Sequence, residues 1–263
     1  MRITVIGCAG SFPGPDSPAS CYLVEASGFR LLLDLGNGAL GALQRHAALG
    51  DIDAVVLSHL HGDHCLDMCA YAVVRRYAPG GPMPPLTVYG PAGTAQRLEQ
   101  AQGVNLGSGI GDVFAFETLV PGTRQIGPFE VTAEHVNHPV ETFGFRLAAD
   151  GQVLAYSADT GESAALVRLA RNADLLVCEA SFLDGEPNPP DLHLTGRQAA
   201  EHAHRAGAGA LVLTHLVPWN DQAAVLAEAV PAFGGPVSLA RPGATVDLAA
   251  PDLVAPIAAA DPH

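Results

Sequence analysis

The densest chemistry in this 263-residue chain falls in the segment Leu57-Ser58-His59-Leu60-His61-Gly62-Asp63-His64. Three imidazoles and one carboxylate lie within six residues of each other. Imidazole nitrogen and carboxylate oxygen are ligands for zinc, and also for manganese or iron. Gly62 stands among them without a side chain, so the loop is free to turn the donors towards one point. The short apolar run 54–58 in front reads as a buried strand, and 65–77 behind reads as a helix, which places the donors at a strand-to-helix junction.

The rest of the chain must supply the frame. Strands are expected at 2–6, at 21–25 and 29–34 as a hairpin around Ser27-Gly28, and at 87–89, 114–118, 129–135, 142–148, 153–157, 175–179 and 210–214. Residues 237–239 and 245–248 are expected to close the sheets. Helices are expected at 40–49, from 94 to 102, at 164–170, at 195–206 with Thr195 as N-cap, and at 221–233. The order runs β-rich, α, β-rich, α. It suits an α/β protein with two sheets face to face and helices outside, rather than a doubly wound sheet. No repeat and no linker divides the chain, so residues 1–248 are read as one domain and 249–263 as an Ala/Pro-rich tail. The glycine-rich stretch 103–111 reads as a flexible surface segment, and 185–191 as a proline-rich loop.

Composition narrows the partners. The chain has 27 acidic and 13 basic residues, a formal net charge of −14, and every base is arginine. Such a surface repels RNA and DNA unless a local basic patch forms, and the only adjacent basic pair is Arg75-Arg76. A small anion can still bind where metal ions supply the positive charge. No apolar run reaches the roughly 18 residues of a membrane span, and residues 1–7 read as a strand rather than a secretory leader. A cytoplasmic protein without membrane association is therefore expected. Its five cysteines, Cys8, Cys21, Cys65, Cys69 and Cys178, are expected to be free thiols, mostly buried.

The H-x-H-x-D-H pattern after a buried strand resembles the second motif of the metallo-β-lactamase superfamily. Asn137-His138-Pro139-Val140-Glu141-Thr142-Phe143-Gly144-Phe145, Tyr156-Ser157-Ala158-Asp159-Thr160-Gly161 and Leu213-Thr214-His215 resemble its later motifs in the right order. The resemblance covers nearly the whole chain and implies the four-layer αββα sandwich of that fold. It implies that His59, His61 and His138 hold one divalent metal ion, that Asp63, His64 and His215 hold a second, and that Asp159 bridges them. Zinc is the first choice, with manganese or iron as alternatives. Two cations about 3.5–4 Å apart can share a hydroxide and clamp a phosphate oxygen. His135, three residues before His138, is left as a neighbouring or structural residue.

Two further segments narrow the class. Leu176-Val177-Cys178-Glu179-Ala180-Ser181-Phe182 and His193-Leu194-Thr195 resemble the H-E-A-T and H-S-T segments of the phosphodiesterase branch, typified by tRNA 3′-processing endonucleases. Cys178 departs from that pattern, standing where those proteins have histidine. The resemblance makes Asp63, Glu179 and His193 catalytic, with Glu179 orienting His193 and His193 protonating the leaving oxygen. The segments around Gly7–Ser11, 14–20 and 40–46 are also similar to those of actinobacterial atypical cyclic-nucleotide phosphodiesterases. The leading expectation is hydrolysis of 3′,5′-cyclic AMP, or a related cyclic nucleotide, to the 5′-monophosphate by a metal-bridging hydroxide, in a homodimer. The alternatives are a tRNA 3′-processing endonuclease, which the acidic charge disfavours, an ester, lactone or sulfate-ester hydrolase on the same scaffold, and a nucleotide-binding module without catalysis. Phe12, Tyr71, Arg75, Arg76 and Trp219 are candidates for gripping the base.

Overall fold

The computed structural model describes residues 1–103 and 109–249. The expected tail, apart from its first residue, and much of the expected glycine-rich surface segment lie outside the described residues. Among the described residues the chain forms two seven-stranded sheets. The first is built from β1 (Arg2–Gly7), β2 (Cys21–Ala26), β3 (Phe29–Leu33), β4 (Ala54–Val56), β5 (Leu86–Gly90) and β6 (Phe114–Thr118). The second is built from β7 (Gly122–Ile126), β8 (Phe129–His135), β9 (Phe143–Ala149), β10 (Gln152–Tyr156), β11 (Leu175–Glu179), β12 (Leu211–Thr214) and β13 (Val237–Leu239), and β14 (Thr245–Asp247) returns to pair with β1.

Both sheets are mixed. β3, β4, β5 and β6 run parallel, as do β10, β11, β12 and β13, while the remaining pairings are antiparallel. Between the sheets lies a core that includes Val5, Tyr22, Leu31, Val56, Phe129, Phe145, Leu154 and Val177. Parallel strands buried on both faces need helices outside, and these are present. α1 (Ala39–Leu43), α2 (Gly62–Cys65), α3 (Asp67–Tyr77) and α4 (Thr94–Gln102) belong to the first half, and α5 (Ala164–Leu169), α6 (Gly196–Ala206) and α7 (Gln222–Phe233) to the second. Leu40, Leu43, Tyr71 and Leu98 pack with the outer face of the first sheet. Leu166, Ala199, Ala203 and Val225 pack with that of the second. The four-layer sandwich follows directly.

Several boundaries differ from expectation. The first helix ends at Leu43, not 49. After its C-cap Gln44 the chain continues in turns that carry Ala47 into the core, then in a short 3-10 turn over Leu49–Asp51. The expected helix 65–77 begins earlier, because Asp63 and His64 already lie in α2, and it breaks at Leu66 before α3. β7 was not expected; it lies at the sheet edge, and only Ile126 of its five residues is buried, so its sequence is polar. α6 carries the full capping box: Thr195 Oγ1 accepts from the amide of Gln198 while the Gln198 side chain accepts from the amide of Thr195.

Candidate metal centre

The loops that follow β4, β8, β10 and β12 meet at one point. β4 delivers His59 and His61, the turn into α2 delivers Asp63 and His64, and His138, Asp159 and His215 follow β8, β10 and β12. Parallel strands bring their carboxyl ends to the same edge, which is why residues more than 150 positions apart share one site. Close backbone approach is needed here. A Cβ at Gly36 would overlap the carbonyl of Asp63, and one at Gly10 would overlap the backbone of His215. His215 itself has φ +53°, a conformation uncommon for a residue with a side chain. It is held by Ser181 Oγ, 3.0 Å from its carbonyl.

Two sets of donor atoms result, each drawn within 4.8 Å. In the first, His59 Nε2 is 3.1 Å from His61 Nδ1, His138 Nε2 is 3.3 Å from His61 Nδ1, and Asp159 Oδ2 is 3.6 Å from His59 Nε2. In the second, His215 Nε2 is 3.1 Å from Asp63 Oδ2, and His64 Nε2 is 3.6 Å from the same oxygen. Asp159 Oδ1 completes it, 3.1 Å from His64 Nε2 and 3.4 Å from His215 Nε2. Asp159 therefore turns one oxygen to each set.

The donors fit divalent cations. A tetrahedral ion with bonds of about 2.0–2.1 Å sets neighbouring ligand atoms about 3.3 Å apart, and these separations bracket that value. His64 Nε2 and Asp159 Oδ1 are buried and lack a hydrogen-bond partner, which is costly unless something else satisfies them. Burial, aided by neighbouring His64, holds the His59 imidazole well below its ordinary pKa, and burial lowers His61 and His138. These three keep neutral lone pairs. Burial would raise the carboxyl of Asp159, but His215 and His64 outweigh it and hold it well below the usual range. Asp63 is likewise lowered against its burial, by His215 and His64.

Behind the donors lies a layer of hydrogen bonds that orients them. Asp34, fully buried, accepts from the Ser58 amide at 2.7 Å, Ser58 Oγ at 2.8 Å and Tyr156 Oη at 2.7 Å, and its Oδ2 lies 2.8 Å from His64 Nδ1. Ser58 Oγ is also 3.0 Å from His59 Nδ1. His138 Nδ1 meets the carbonyl of Leu192 at 3.0 Å. Each of these imidazoles thus turns its other nitrogen into the donor cluster. Spacing does not flag Asp34, Ser58, Tyr156 or Ser181; the one signal that could have found Asp34 is an acid directly after an apolar strand.

Glu179 is a second hub. It is fully buried, and it accepts from the Thr160 amide at 2.7 Å and from Ser181 Oγ at 3.0 Å. Its Oε1 lies 2.8 Å from His193 Nδ1. Burial pulls the pKa of His193 down, but the Glu179 carboxylate outweighs it and raises it to about 9. The His193 ring sits between the two donor sets, its centroid 5.5 Å from that of His138 and 5.3 Å from that of His215.

The other candidates separate. His135 stacks on Phe143 at 4.5 Å and joins neither set. Tyr71 is buried and bonds the carbonyl of Leu49, Arg75 is buried against the Pro84 carbonyl, and Arg76 pairs with Asp112. These three are engaged with those partners, and none belongs to either donor set. Phe12 and Trp219 stack on each other. All five cysteines are free, and four are buried.

Fold and site together define a metal-dependent hydrolase with a His/Asp cluster for divalent ions. The sequence model of the beta-lactamase superfamily domain matches residues 29–216, and the chain belongs to that superfamily, in its metallo-β-lactamase fold. It is 46% identical over 244 residues to the uncharacterized protein Rv1339 of Mycobacterium tuberculosis, covering 90% of this chain and 88% of the relative. It is 32% identical to a ribonuclease Z of Mycobacterium bovis, covering 83% and 86%. The crystal structure of the metallo-beta-lactamase fold protein YhfI from Bacillus subtilis superposes with a TM-score of 0.83 at 29% identity, covering 93% of this chain and 98% of that one. No helix among the described residues is long and apolar enough to cross a membrane.

Proposed function

We propose that the chain is a two-metal phosphodiesterase for small nucleotide diesters, with 3′,5′-cyclic AMP the first candidate and a homodimer the working form. The observation that carries the reading is the place of His193: fixed by Glu179, it stands beside both donor sets. His59, His61 and His138 would hold one cation, Asp63, His64 and His215 the other, and Asp159 both, with zinc the first choice. Cations held there supply the Lewis acidity that polarises a phosphoryl oxygen and acidifies water. Glu179 accepts from His193 Nδ1, so Nε2 is the nitrogen left for the cluster, and it carries a hydrogen when the ring is protonated. A protonated His193 gives that proton to the departing alkoxide, which is too basic to leave unprotonated at neutral pH. The acidic surface, free of lysine, supports a small substrate over a polynucleotide, whose binding leans on phosphate neutralisation.

One observation favours a second reading. The 32% identity to a ribonuclease Z supports cleavage of precursor tRNA by the same residues. Purified protein with its metal content measured, assayed on cyclic AMP and on precursor tRNA beside Asp63→Ala, separates the two. Conversion of cyclic AMP to 5′-AMP, lost in Asp63→Ala, upholds the first reading. Cleavage of tRNA with cyclic AMP untouched rejects it in favour of the second.

A further inference from the structure

Trp219 is the only tryptophan in the chain, and it is 76% exposed. It stacks on Phe12 with ring centroids 4.8 Å apart and planes tilted by 37°. Both rings hang from segments that build the metal centre. Leu216, directly after His215, donates its amide to Cys8 O at 2.9 Å and accepts from the Gly10 amide at 3.0 Å. The Ser11 amide points at His215 Nε2 from 3.3 Å. Phe12 follows Ser11, and its own amide donates to Gly10 O at 2.8 Å. On the other side, Asn220 Nδ2 donates to Ser181 O at 2.7 Å, so the turn bearing Trp219 is tied to the residue that contacts both His215 and Glu179. At about 3.3–3.6 Å per residue, Trp219 lies within about 14 Å of chain from His215 and Phe12 within about 4 Å of chain from Ser11. Prolines at 13, 15, 18 and 218 stiffen both segments.

We propose that the Phe12–Trp219 pair is the stacking platform for the flat heterocyclic base of the substrate. The proposal rests on the reading of the site as a centre for nucleotide phosphodiesters. A chain of net charge −14 without lysine has little to offer a nucleotide electrostatically beyond the metal centre. Affinity must then come from the neutral end of the ligand, and a base presents a π-face to which aromatic side chains bind. Exposed Asp16 and Asp221 lie close in sequence to the pair. A two-fold contact between copies of this face would set like charges near each other, which disfavours a second copy as the occupant.

The lone tryptophan makes the platform its own reporter. Emission of the metal-loaded protein is titrated with AMP and, separately, with ribose 5-phosphate, which carries the phosphate but no base. Saturable quenching by AMP alone is expected. Phe12→Ala, checked for native circular dichroism, should weaken AMP binding about tenfold and raise KM for cyclic AMP more than it lowers kcat. Turnover of bis(p-nitrophenyl) phosphate by the unaltered protein tests the phosphodiesterase reading separately. If that substrate is hydrolysed while millimolar AMP leaves the emission unchanged, the platform is rejected and the reading of the centre stands. Equal quenching by ribose 5-phosphate also rejects it. So does a dimer that Trp219→Ala converts to monomer with AMP affinity intact, because the pair is then an interface between copies.

Discussion

The hydroxyl of Ser181 stands 2.7 Å from Nδ1 of His215. The same oxygen donates to Glu179 Oε2 at 3.0 Å, so it accepts from His215 and fixes that ring with Nε2 facing Asp63 and Asp159. Glu179 in turn holds His193 through its other oxygen. One serine therefore joins a donor imidazole to the proposed acid, and the path from His215 to His193 contains no gap.

Losing that hydroxyl should loosen His215 without emptying the fold. Ser181→Ala is expected to weaken divalent-metal binding about tenfold to hundredfold, the usual range when a ligand's outer hydrogen bond is removed. Ser181→Thr keeps the oxygen and should keep the affinity. Competition against a chromogenic chelator reads both. Unchanged affinity in the alanine variant would mean that His215 needs no support from Ser181.

The proposed acid makes a prediction about leaving groups. An alkoxide needs a proton as it departs, whereas p-nitrophenolate leaves without one. His193→Ala should therefore lower kcat for cyclic AMP by about 10²- to 10⁴-fold and spare bis(p-nitrophenyl) phosphate by comparison. Glu179→Gln should follow the same pattern more weakly. Equal losses on both substrates would show that His193 shapes the site rather than protonating anything.

Legibility of the site in the sequence tracked how local each signal was. His59, His61, Asp63 and His64 announce themselves because four donors in six residues have no ordinary structural use. His138, Asp159 and His215 are single residues far apart, and it took the order of whole motifs to pick them out. Asp34 and Tyr156 carry no such signal: their bond spans 122 positions and exists only because the two sheets pack face to face. The sandwich was legible from alternating β-rich and α-rich stretches. The polar edge strand β7 was not, because only Ile126 of its five residues is buried, so it carries no apolar pattern.

Asp34 should matter for folding as much as for metal. Its carboxylate receives two bonds from Ser58 and one from Tyr156, and it contacts His64, all in a fully buried setting. Asp34→Ala strands these groups, and unpaired buried partners of a charged hub cost about 3 kcal/mol or more. For a chain this size that is a fall of about 10 °C in Tm, measured by thermal denaturation with metal present. A fall under about 2 °C would mean that water or rearrangement replaces the carboxylate.

Asp159 is the residue on which metal count should turn. Its Oδ2 faces His59 at 3.6 Å, while its Oδ1 faces His64 at 3.1 Å and His215 at 3.4 Å. Each donor set without it keeps three side chains, but the sets then lose the negative charge lying between two cations. At an effective dielectric constant near 20, two unit charges about 4 Å apart repel by about 4 kcal/mol and two divalent ions by about four times as much, so the second ion binds only if that repulsion is offset. The unaltered protein should bind two divalent ions per chain. His138→Ala should bind one with good affinity, because the set around Asp63, His64 and His215 is untouched. Asp159→Ala should bind at most one, and weakly. Bound ions stabilise by mass action, so the Tm gained on adding metal should be largest for the unaltered protein, smaller for His138→Ala and smallest for Asp159→Ala. Elemental analysis after dialysis gives the counts. Two tightly held ions in Asp159→Ala would show that the two sets are independent sites and that Asp159 bridges nothing.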